Sequence, residues 1–455
     1  MNPLQLLKSK FLKDTATLQL GSFITSGGNL VSTILLAYVL GAREQGNYFV
    51  AISLYSLFFL LLSTGINQAT VSQAASAYAR GNNEKVAIWL AFQLKSYLLM
   101  GALFFGAGYF LFPAVAQTEL GGGERRIGEL AWWLAATPLI EAPRAVATAL
   151  FQATRRMLPL AQTENAQEMV RVFLVTVGAV LTGEAEGAIL GMLLASTIGS
   201  VLAMELYRRA RSDGQGEIPT LGAILSHVRS VPLRRGLPLG MRVGLLRSID
   251  ALGLQVLPML IINALVGSEV VAYTRTAQRI MNVPMMLMGS VSRAVFPVLN
   301  QLAGLKDMEK FRKMFLKTTL TAGSVVSVGI LGALPFVHLV VESFWPAEYV
   351  EPVSTLCLIF AVGCVALSFA IGLDSFYIVT NSMNGAIWLN SIGLVVTAGT
   401  NAYLCTILPQ TGGAWGITFA MSWGIFHYFY VAWILKKRRA LEPPDSGVAA
   451  GGATA

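Results

Sequence analysis

The chain has 455 residues, of which 55% are hydrophobic and 13% are charged, and its formal net charge is +9. So few charges in so apolar a chain exclude a disordered protein and an ordinary soluble domain. We expect no nucleic-acid partner, because the basic residues cluster beside apolar runs and form neither a continuous groove nor an aromatic platform. The composition is that of a polytopic membrane protein.

Long apolar runs recur along the whole chain. A hydrocarbon layer of ~30 Å needs about 20 predominantly apolar residues per helix, and the runs reach that length again and again. In chain order we predict twelve spans, at residues 15–40, 48–70, 86–112, 130–151, 161–181, 185–207, 237–265, 270–299, 316–344, 353–379, 385–408 and 413–435. The predicted fold class is therefore an all-α polytopic membrane protein.

The basic residues between the runs fall almost entirely on alternate loops. Arg43, Arg125 and Arg126 are the exceptions on the opposite side. Because loops rich in Lys and Arg are retained in the cytoplasm, both termini are predicted to be cytoplasmic and the number of spans to be even. The first run is long and lacks a small-residue cleavage signature, so we expect it to stay as a helix.

The longest polar interruption divides the predicted spans into two sets of six. Residues 1–208 are predicted to form an N-terminal six-helix bundle, and residues 237–435 a C-terminal one. Residues 209–236 read as a cytoplasmic linker with a short interfacial helix over 218–231, and residues 436–455 as a disordered cytoplasmic tail. A weak sequence similarity between segments 40–48 and 266–273 indicates that the two halves are parallel repeats. Such repeats commonly enclose a central cavity.

Ionisable residues inside the predicted spans are functional candidates, because each costs at least ~2.5–3.5 kcal/mol at bilayer depth unless it faces protein or water. Guanidinium groups stay charged there and present forked donors that match phosphate oxygens. The predicted substrate-binding residues are Arg242, Arg275, Arg279, Arg247 and Arg144. Pairing of Glu141 with Arg144 and of Arg247 with Asp250 is the favoured interpretation for those four residues, since each pair is spaced i, i+3. It leaves Arg242, Arg275 and Arg279 without local acids, as the strongest substrate candidates.

Three acidic residues in the spans are predicted to gate transport or couple it to an ion, namely Glu141, Asp250 and Asp374. Asp374 has no basic residue on its own predicted helix, which suits reversible protonation or contact with a cation. We predict no catalytic residue, no metal site and no cofactor, because the three histidines are isolated and no phosphate-cradling loop occurs. Energy would then come from an H⁺ or Na⁺ gradient, from a partner or from the substrate.

Two polar stripes accompany these charges. Ser22, Ser26, Asn29 and Thr33 share one face of the first predicted helix, where they could line a cavity, although packing between helices is the favoured interpretation. Glu164, Glu168 and Arg171 lie on one stripe of the fifth predicted helix, for which a solvated or interhelical network is favoured over a substrate contact.

Segments 40–48 (LGAREQGNY), 61–70 (LLSTGINQAT) and 78–82 (YARGN) resemble the N-terminal region of bacterial polysaccharide flippases. These belong to the multidrug/oligosaccharidyl-lipid/polysaccharide (MOP) exporter superfamily and include the O-antigen and exopolysaccharide transporters. The resemblance implies a V-shaped pair of six-helix bundles in the bacterial inner membrane. Their cationic cavity would move an oligosaccharide linked to polyprenyl pyrophosphate outward by alternating access.

The implied partners are the lipid-linked oligosaccharide, the membrane lipids and a polysaccharide polymerase or export machinery. Two other functions compete with the flippase. A cation-coupled multidrug antiporter of the same superfamily predicts a negatively charged cavity, and a membrane glycosyltransferase or polymerase needs a catalytic carboxylate in a substantial outer loop. The predicted loops on that side are short.

Overall fold

The computed structural model describes residues 3–62, 65–118, 123–212, 218–235, 244–245, 248–304, 308–370, 372–373, 376–377, 380 and 382–439. Nearly all of these residues are helical. The helices are α1 (Pro3–Leu62), α2 (Ile66–Ala79), α3 (Asn83–Ala116), α4 (Arg125–Leu134), α5 (Thr137–Ala153), α6 (Met157–Thr182), α7 (Ala185–Ser212), α8 (Leu221–Val228), α9 (Leu257–Leu265), α10 (Ser268–Gly304), α11 (Met308–Phe344), α12 (Ala347–Ser368), α13 (Met383–Ile407), α14 (Gly412–Ser422) and α15 (Gly424–Arg439).

The helix boundaries follow local chemistry. The long helix α1 is broken at Gly41, whose φ of 68° and ψ of 175° fit glycine and not a residue with a side chain. The two arms of α1 correspond to the first two predicted spans. Helix α12 ends at Ser368, well before the predicted limit of 379, and Gly372 follows with a φ of 86°. The Thr220 side chain accepts a hydrogen bond from the Ala223 amide and caps α8, a short helix that lies within residues 218–231.

The surface of the molecule carries large apolar side chains that water would not favour. Phe110, Leu181 and Val395 are 75%, 79% and 73% exposed. Among the described residues, 7 helices are long and apolar enough to cross a bilayer. These observations identify a multi-pass membrane protein, because a soluble protein rarely exposes apolar surface on this scale. The count of twelve spans stays a prediction.

The buried core shows how the helices before residue 235 meet those after residue 248. One hydrophobic cluster draws on both groups and includes Leu36, Tyr48, Val271 and Tyr349. A second cluster, around Phe92 and Phe151, draws on α2, α3 and α5 to α8 and the residues beside them. A third, around Phe311 and Phe376, draws on later residues. The two groups therefore share a core at one end, called here the joined end, and have separate cores at the other, the split end, where α8 lies.

Close backbone contact holds the joined end together. Helix α1 packs along α10, and a Cβ atom placed on Gly46 would lie 1.9 Å from the Ser268 carbonyl oxygen. The Tyr349 hydroxyl donates to Gln45 Oε1 at 2.7 Å, and Gln45 Nε2 donates to the Thr33 carbonyl at 2.8 Å. Glycine at position 46 lets the backbones of α1 and α10 touch, and a buried hydrogen-bonded chain ties α1 to α12 beside that contact.

Ion pairs surround the bend in α1 at the same end. Arg126 in α4 donates to Glu44 Oε1 at 3.0 Å and to Glu186 Oε1 at 2.5 Å. The hydrogen bond to Glu186 raises the pKa of Arg126 above its ordinary value. Arg126 thereby ties α1, α4 and α7 together next to the break at Gly41.

Candidate functional site: a cationic cavity between the two groups of helices

A cavity of about 540 Å³ lies between the two arms of α1 and helix α10. Its lining combines residues of α1, of the segment 251–256, of α10 and single residues of α12 and α14. Arg275 and Arg279 contribute its charges, and none of the described residues that line it is acidic. Two of the five predicted substrate-binding arginines thus face one chamber formed by both groups of helices.

Arg275 is held by neutral acceptors. Its guanidinium donates to Gln278 Oε1 at 3.2 Å, to Ser53 Oγ at 3.3 Å and to the Gln255 carbonyl. Leu252–Val256 form a π turn, so their carbonyls leave the regular α-helical register. The Leu254 carbonyl accepts from Gln278 Nε2 at 3.2 Å. The irregular turn therefore supplies backbone acceptors that orient Arg275 without neutralising its charge.

Arg279 reaches across to α1. It donates to the Asn29 carbonyl at 2.9 Å and to Thr33 Oγ1. Its Cζ atom lies 5.0 Å from the centroid of the Phe49 ring, a cation–π contact. All of these partners are neutral, so the positive charge is solvated by the protein and stays open to an anion.

The polar stripe of α1 serves both of the roles weighed from the sequence. Ser26 and Asn29 line the cavity, while Asn29 Oδ1 accepts from Arg171 at 2.9 Å. Arg171 also donates to Glu168 Oε1 at 2.6 Å. This is the interhelical network expected for Glu168 and Arg171. The Ser22 side chain lies outside the described part of the structure.

Arg144 lies apart from this cavity and is paired on its own helix. Its guanidinium donates to Glu141 Oε2 at 2.5 Å, and Glu141 Oε1 accepts from Gln167 at 2.8 Å and Ser196 at 2.9 Å. The structure thus places Glu141 and Arg144 as the i, i+3 pair that the spacing allowed, inside a polar network of α5, α6 and α7.

Asp250 lines a second cavity of about 410 Å³ among the later helices. Asn390 Nδ2 donates to Asp250 Oδ1 at 2.8 Å. The same cavity contains Thr397 and His427, and the Tyr377 hydroxyl lies 2.7 Å from His427 Nδ1. Arg242, Arg247 and Asp374 fall outside the residues that the structure describes.

The sequence analysis singled out Asn29 but not the amides that α10 contributes to the site. Gln278 and Asn282 follow Arg275 at i+3 and i+7, so helical spacing places them on the arginine face of α10. This spacing could have identified Gln278 and Asn282 from the sequence as residues of the site. The backbone carbonyl of Gln255 and the partner of Asp250, Asn390, gave no such signal because both contacts depend on the tertiary fold.

The fold is that of known membrane transporters. The chain superposes on an inward-facing multidrug resistance MATE family transporter of the MOP superfamily with a TM-score of 0.68 at 16% identity, covering 94% of this chain and 100% of that one. Lipid II flippase MurJ in an inward closed conformation gives a TM-score of 0.66 at 14% identity, covering 94% and 93%. This chain shares the fold of those two transporters.

Residues 11–303 match the family described as "Polysaccharide biosynthesis protein". The chain belongs to this family. It is also 30% identical over 204 residues to Stage V sporulation protein B of Bacillus subtilis, a match that covers 44% of this chain and 38% of that relative's length.

Proposed function

We propose that this transporter is a flippase for oligosaccharides linked to polyprenyl pyrophosphate. It would act by alternating access in the bacterial inner membrane, with both termini in the cytoplasm, during assembly of a cell-surface polysaccharide. The observation that carries the proposal is the cavity with Arg275 and Arg279 on its wall and no acidic residue in the part of its lining that the structure describes.

The chemistry of this cavity fits an anionic head group. Two guanidinium groups one helical turn apart offer several N–H donors, and a pyrophosphate offers oxygens on two linked phosphates. Amide and hydroxyl groups of Asn29, Gln278 and Ser26 add neutral donors and acceptors of the kind that bind sugars. A multidrug cation would instead meet repulsion, because the charges on the wall are positive.

Coupling to an H⁺ or Na⁺ gradient would use carboxylates away from the substrate. Glu141 and Asp250 each accept hydrogen bonds within a polar setting and are our candidates, together with Asp374. Arg144 would then act on Glu141 and not on the substrate. A polymerase or export machinery would receive the translocated lipid.

The test compares alanine variants of the cavity with a surface control. Arg275→Ala and Arg279→Ala each remove a charge-assisted contact worth ~1.5–3 kcal/mol, so binding of polyprenyl pyrophosphate by purified protein should weaken roughly 10- to 150-fold. Arg312→Ala, at an exposed position of α11, should bind like wild type. Binding is measured by titration in lipid nanodiscs at fixed ionic strength.

A deletion strain separates the competing functions. Loss of the protein should leave lipid-linked sugar on the cytoplasmic face, and wild type but not Arg279→Ala should restore export. Dye efflux restored by wild type without any change in lipid-linked sugar would establish the antiporter instead. New glycosidic bonds formed by purified protein would establish a glycosyltransferase.

A further inference from the structure

A buried ion pair of α6 lies directly behind the wall of the cationic cavity. Arg171 donates to Glu168 through two nitrogens, with Nε 3.0 Å from Oε2 and Nη2 2.6 Å from Oε1. The two side chains are only 14% and 11% exposed. Neither belongs to the described residues that line the cavity. The pair therefore holds one positive and one negative charge inside the protein and outside the chamber.

Asn29 connects this pair to the cavity. Its Oδ1 atom accepts from Arg171 Nη2 at 2.9 Å, and its carbonyl oxygen accepts from Arg279 Nη1 at 2.9 Å. A Cβ atom placed on the preceding residue, Gly28, would lie 3.5 Å from Glu168 Oε1. Because the two donor nitrogens touch the same asparagine residue, they lie within roughly 11 Å of each other. One residue thus separates the ion pair from a guanidinium that we assign to the head group.

At this separation the charges of the pair act on the cavity. Arg171 repels the guanidinium of Arg279 and Glu168 attracts it. Both effects change sign for an anion bound to Arg279, which Arg171 attracts and Glu168 repels. With an effective dielectric constant near 20, a unit charge about 10 Å away changes the affinity for a monovalent anion roughly tenfold. The two charges of the compact pair nearly cancel, so removing either one alone would expose the effect of the other.

A transporter must release the substrate that it binds. Arg275 and Arg279 offer a pyrophosphate several charge-assisted hydrogen bonds, which are the strong ones. A third positive charge close by would hold the anion longer, because differences in affinity between related sites lie mostly in the dissociation rate. Arg171 supplies such a charge while it holds Asn29 in place.

We propose that Glu168 offsets the charge of Arg171 and thereby limits the affinity of the cavity for its anionic head group, so that the head group is released after translocation. This inference rests on the proposed flippase function. It adds to that function two residues that determine affinity for the substrate from outside the described lining of the cavity.

The first experiment removes the two charges one at a time and together. Glu168→Gln keeps the size of the side chain and an acceptor oxygen, and Arg171→Gln keeps an N–H donor for Asn29. Inorganic pyrophosphate is titrated into the full-length protein in lipid nanodiscs at fixed ionic strength. Glu168→Gln should bind it at least about fivefold more tightly than wild type, and Arg171→Gln at least about fivefold more weakly. The double variant should bind within about twofold of wild type.

Two further variants separate charge from contact geometry. Arg171→Lys keeps the positive charge but loses the two-nitrogen contact, and it should bind pyrophosphate within about twofold of wild type. Glu205→Gln is the matched control, because it removes the same negative charge from an ion pair with Arg209 on α7, and Glu205 is not among the described residues of the cavity. It should also bind like wild type.

A purely structural ion pair gives a different pattern of results. Loss of either partner would then loosen Asn29, so that Glu168→Gln and Arg171→Gln both bind more weakly and the double variant does not recover. That pattern, an unchanged affinity of Glu168→Gln, or an Arg171→Lys variant as weak as Arg171→Gln would overturn the inference and leave the flippase proposal standing. Wild type that binds neither pyrophosphate nor polyprenyl pyrophosphate would overturn both.

The second experiment measures release during transport. Translocation of a disaccharide linked to polyprenyl pyrophosphate is followed in proteoliposomes as a function of substrate concentration. Glu168→Gln should lower the half-saturating concentration and the maximal rate together, because slow release then limits turnover. A lower maximal rate with an unchanged or raised half-saturating concentration would contradict a role of Glu168 in release.

Discussion

Gly46→Ala tests whether the joined end opens during transport. A Cβ at position 46 would lie 1.9 Å from the Ser268 carbonyl oxygen and 2.9 Å from Ser268 Cβ, whereas real Cβ contacts essentially never fall under 3.0 Å. The backbones of α1 and α10 must therefore separate by about 1 Å to admit a single methyl group. The contact involves backbone atoms, so no side-chain rotation can relieve it.

The expected cost follows from this overlap. Overpacking of a tight contact costs about 1–3 kcal/mol, and this cost applies to the conformation in which α1 touches α10. The gain in helix propensity from Gly to Ala, at most about 1 kcal/mol, is the same in both conformations and cancels. The ratio of open to joined molecules should rise roughly 5- to 150-fold.

Pulsed electron spin resonance measures this shift. Spin labels at Arg43 and Glu351, both exposed, report the distance between α1 and α12 at the joined end. The native cysteines at 357, 364 and 405 are all buried, and protein without introduced cysteines measures any residual labelling. Gly46→Ala should add or enlarge a population at longer distance.

Gly27→Ala is the matched control, because it adds the same methyl to the same helix and its Cβ would have nothing within 4 Å. Its distance distribution should equal that of wild type. Identical distributions for Gly46→Ala and Gly27→Ala would refute the reasoning, since the close contact would then not decide which conformation is populated.

Three further substitutions have defined outcomes. Tyr349→Phe removes the hydrogen bond to Gln45, worth about 0.5–1.5 kcal/mol, and should shift the same spin-label distances less than Gly46→Ala; a larger shift would contradict this. Glu141→Ala leaves the guanidinium of Arg144 without its ion-pair partner inside the fold and should lower the thermal unfolding midpoint by several degrees. Glu129→Ala, which breaks an exposed ion pair, should change the midpoint little. Gly178→Ala, whose Cβ would lie 2.0 Å from the Gly187 carbonyl, should destabilise the contact of α6 with α7, seen as faster proteolysis between them; unchanged proteolysis would show that these helices can move apart freely.

Much of the architecture could be predicted from the sequence because hydropathy and helical period are local properties. The apolar runs marked helices that the structure confirms, and the charges at bilayer depth pointed to α10. Arg275 and Arg279 were identified because four residues make about one helical turn and the predicted span 270–299 contains no acidic residue. The same rule could not decide the role of Arg144, since a spacing of i, i+3 permits pairing with Glu141 but does not require it.

The apolar pattern could not predict the break at Gly41 or the early end of α12. Both depend on backbone angles, which hydropathy does not encode. The contact between Asn390 and Asp250 was equally hidden, since it joins helices 140 positions apart. A pattern read along one segment carries no information about which distant segment it will face.

The sequence by itself determined that the chain inserts into a membrane. It also determined which face of α10 carries fixed positive charge. Both follow from transfer energies that each residue brings with it, whatever it packs against. Only the tertiary structure decided that Arg279 reaches Asn29 and Thr33, and that Arg275 and Arg279 share a cavity with residues of α1. Those features arise where α1 and α10 pack together, and residues 250 positions apart meet only once the whole chain has folded.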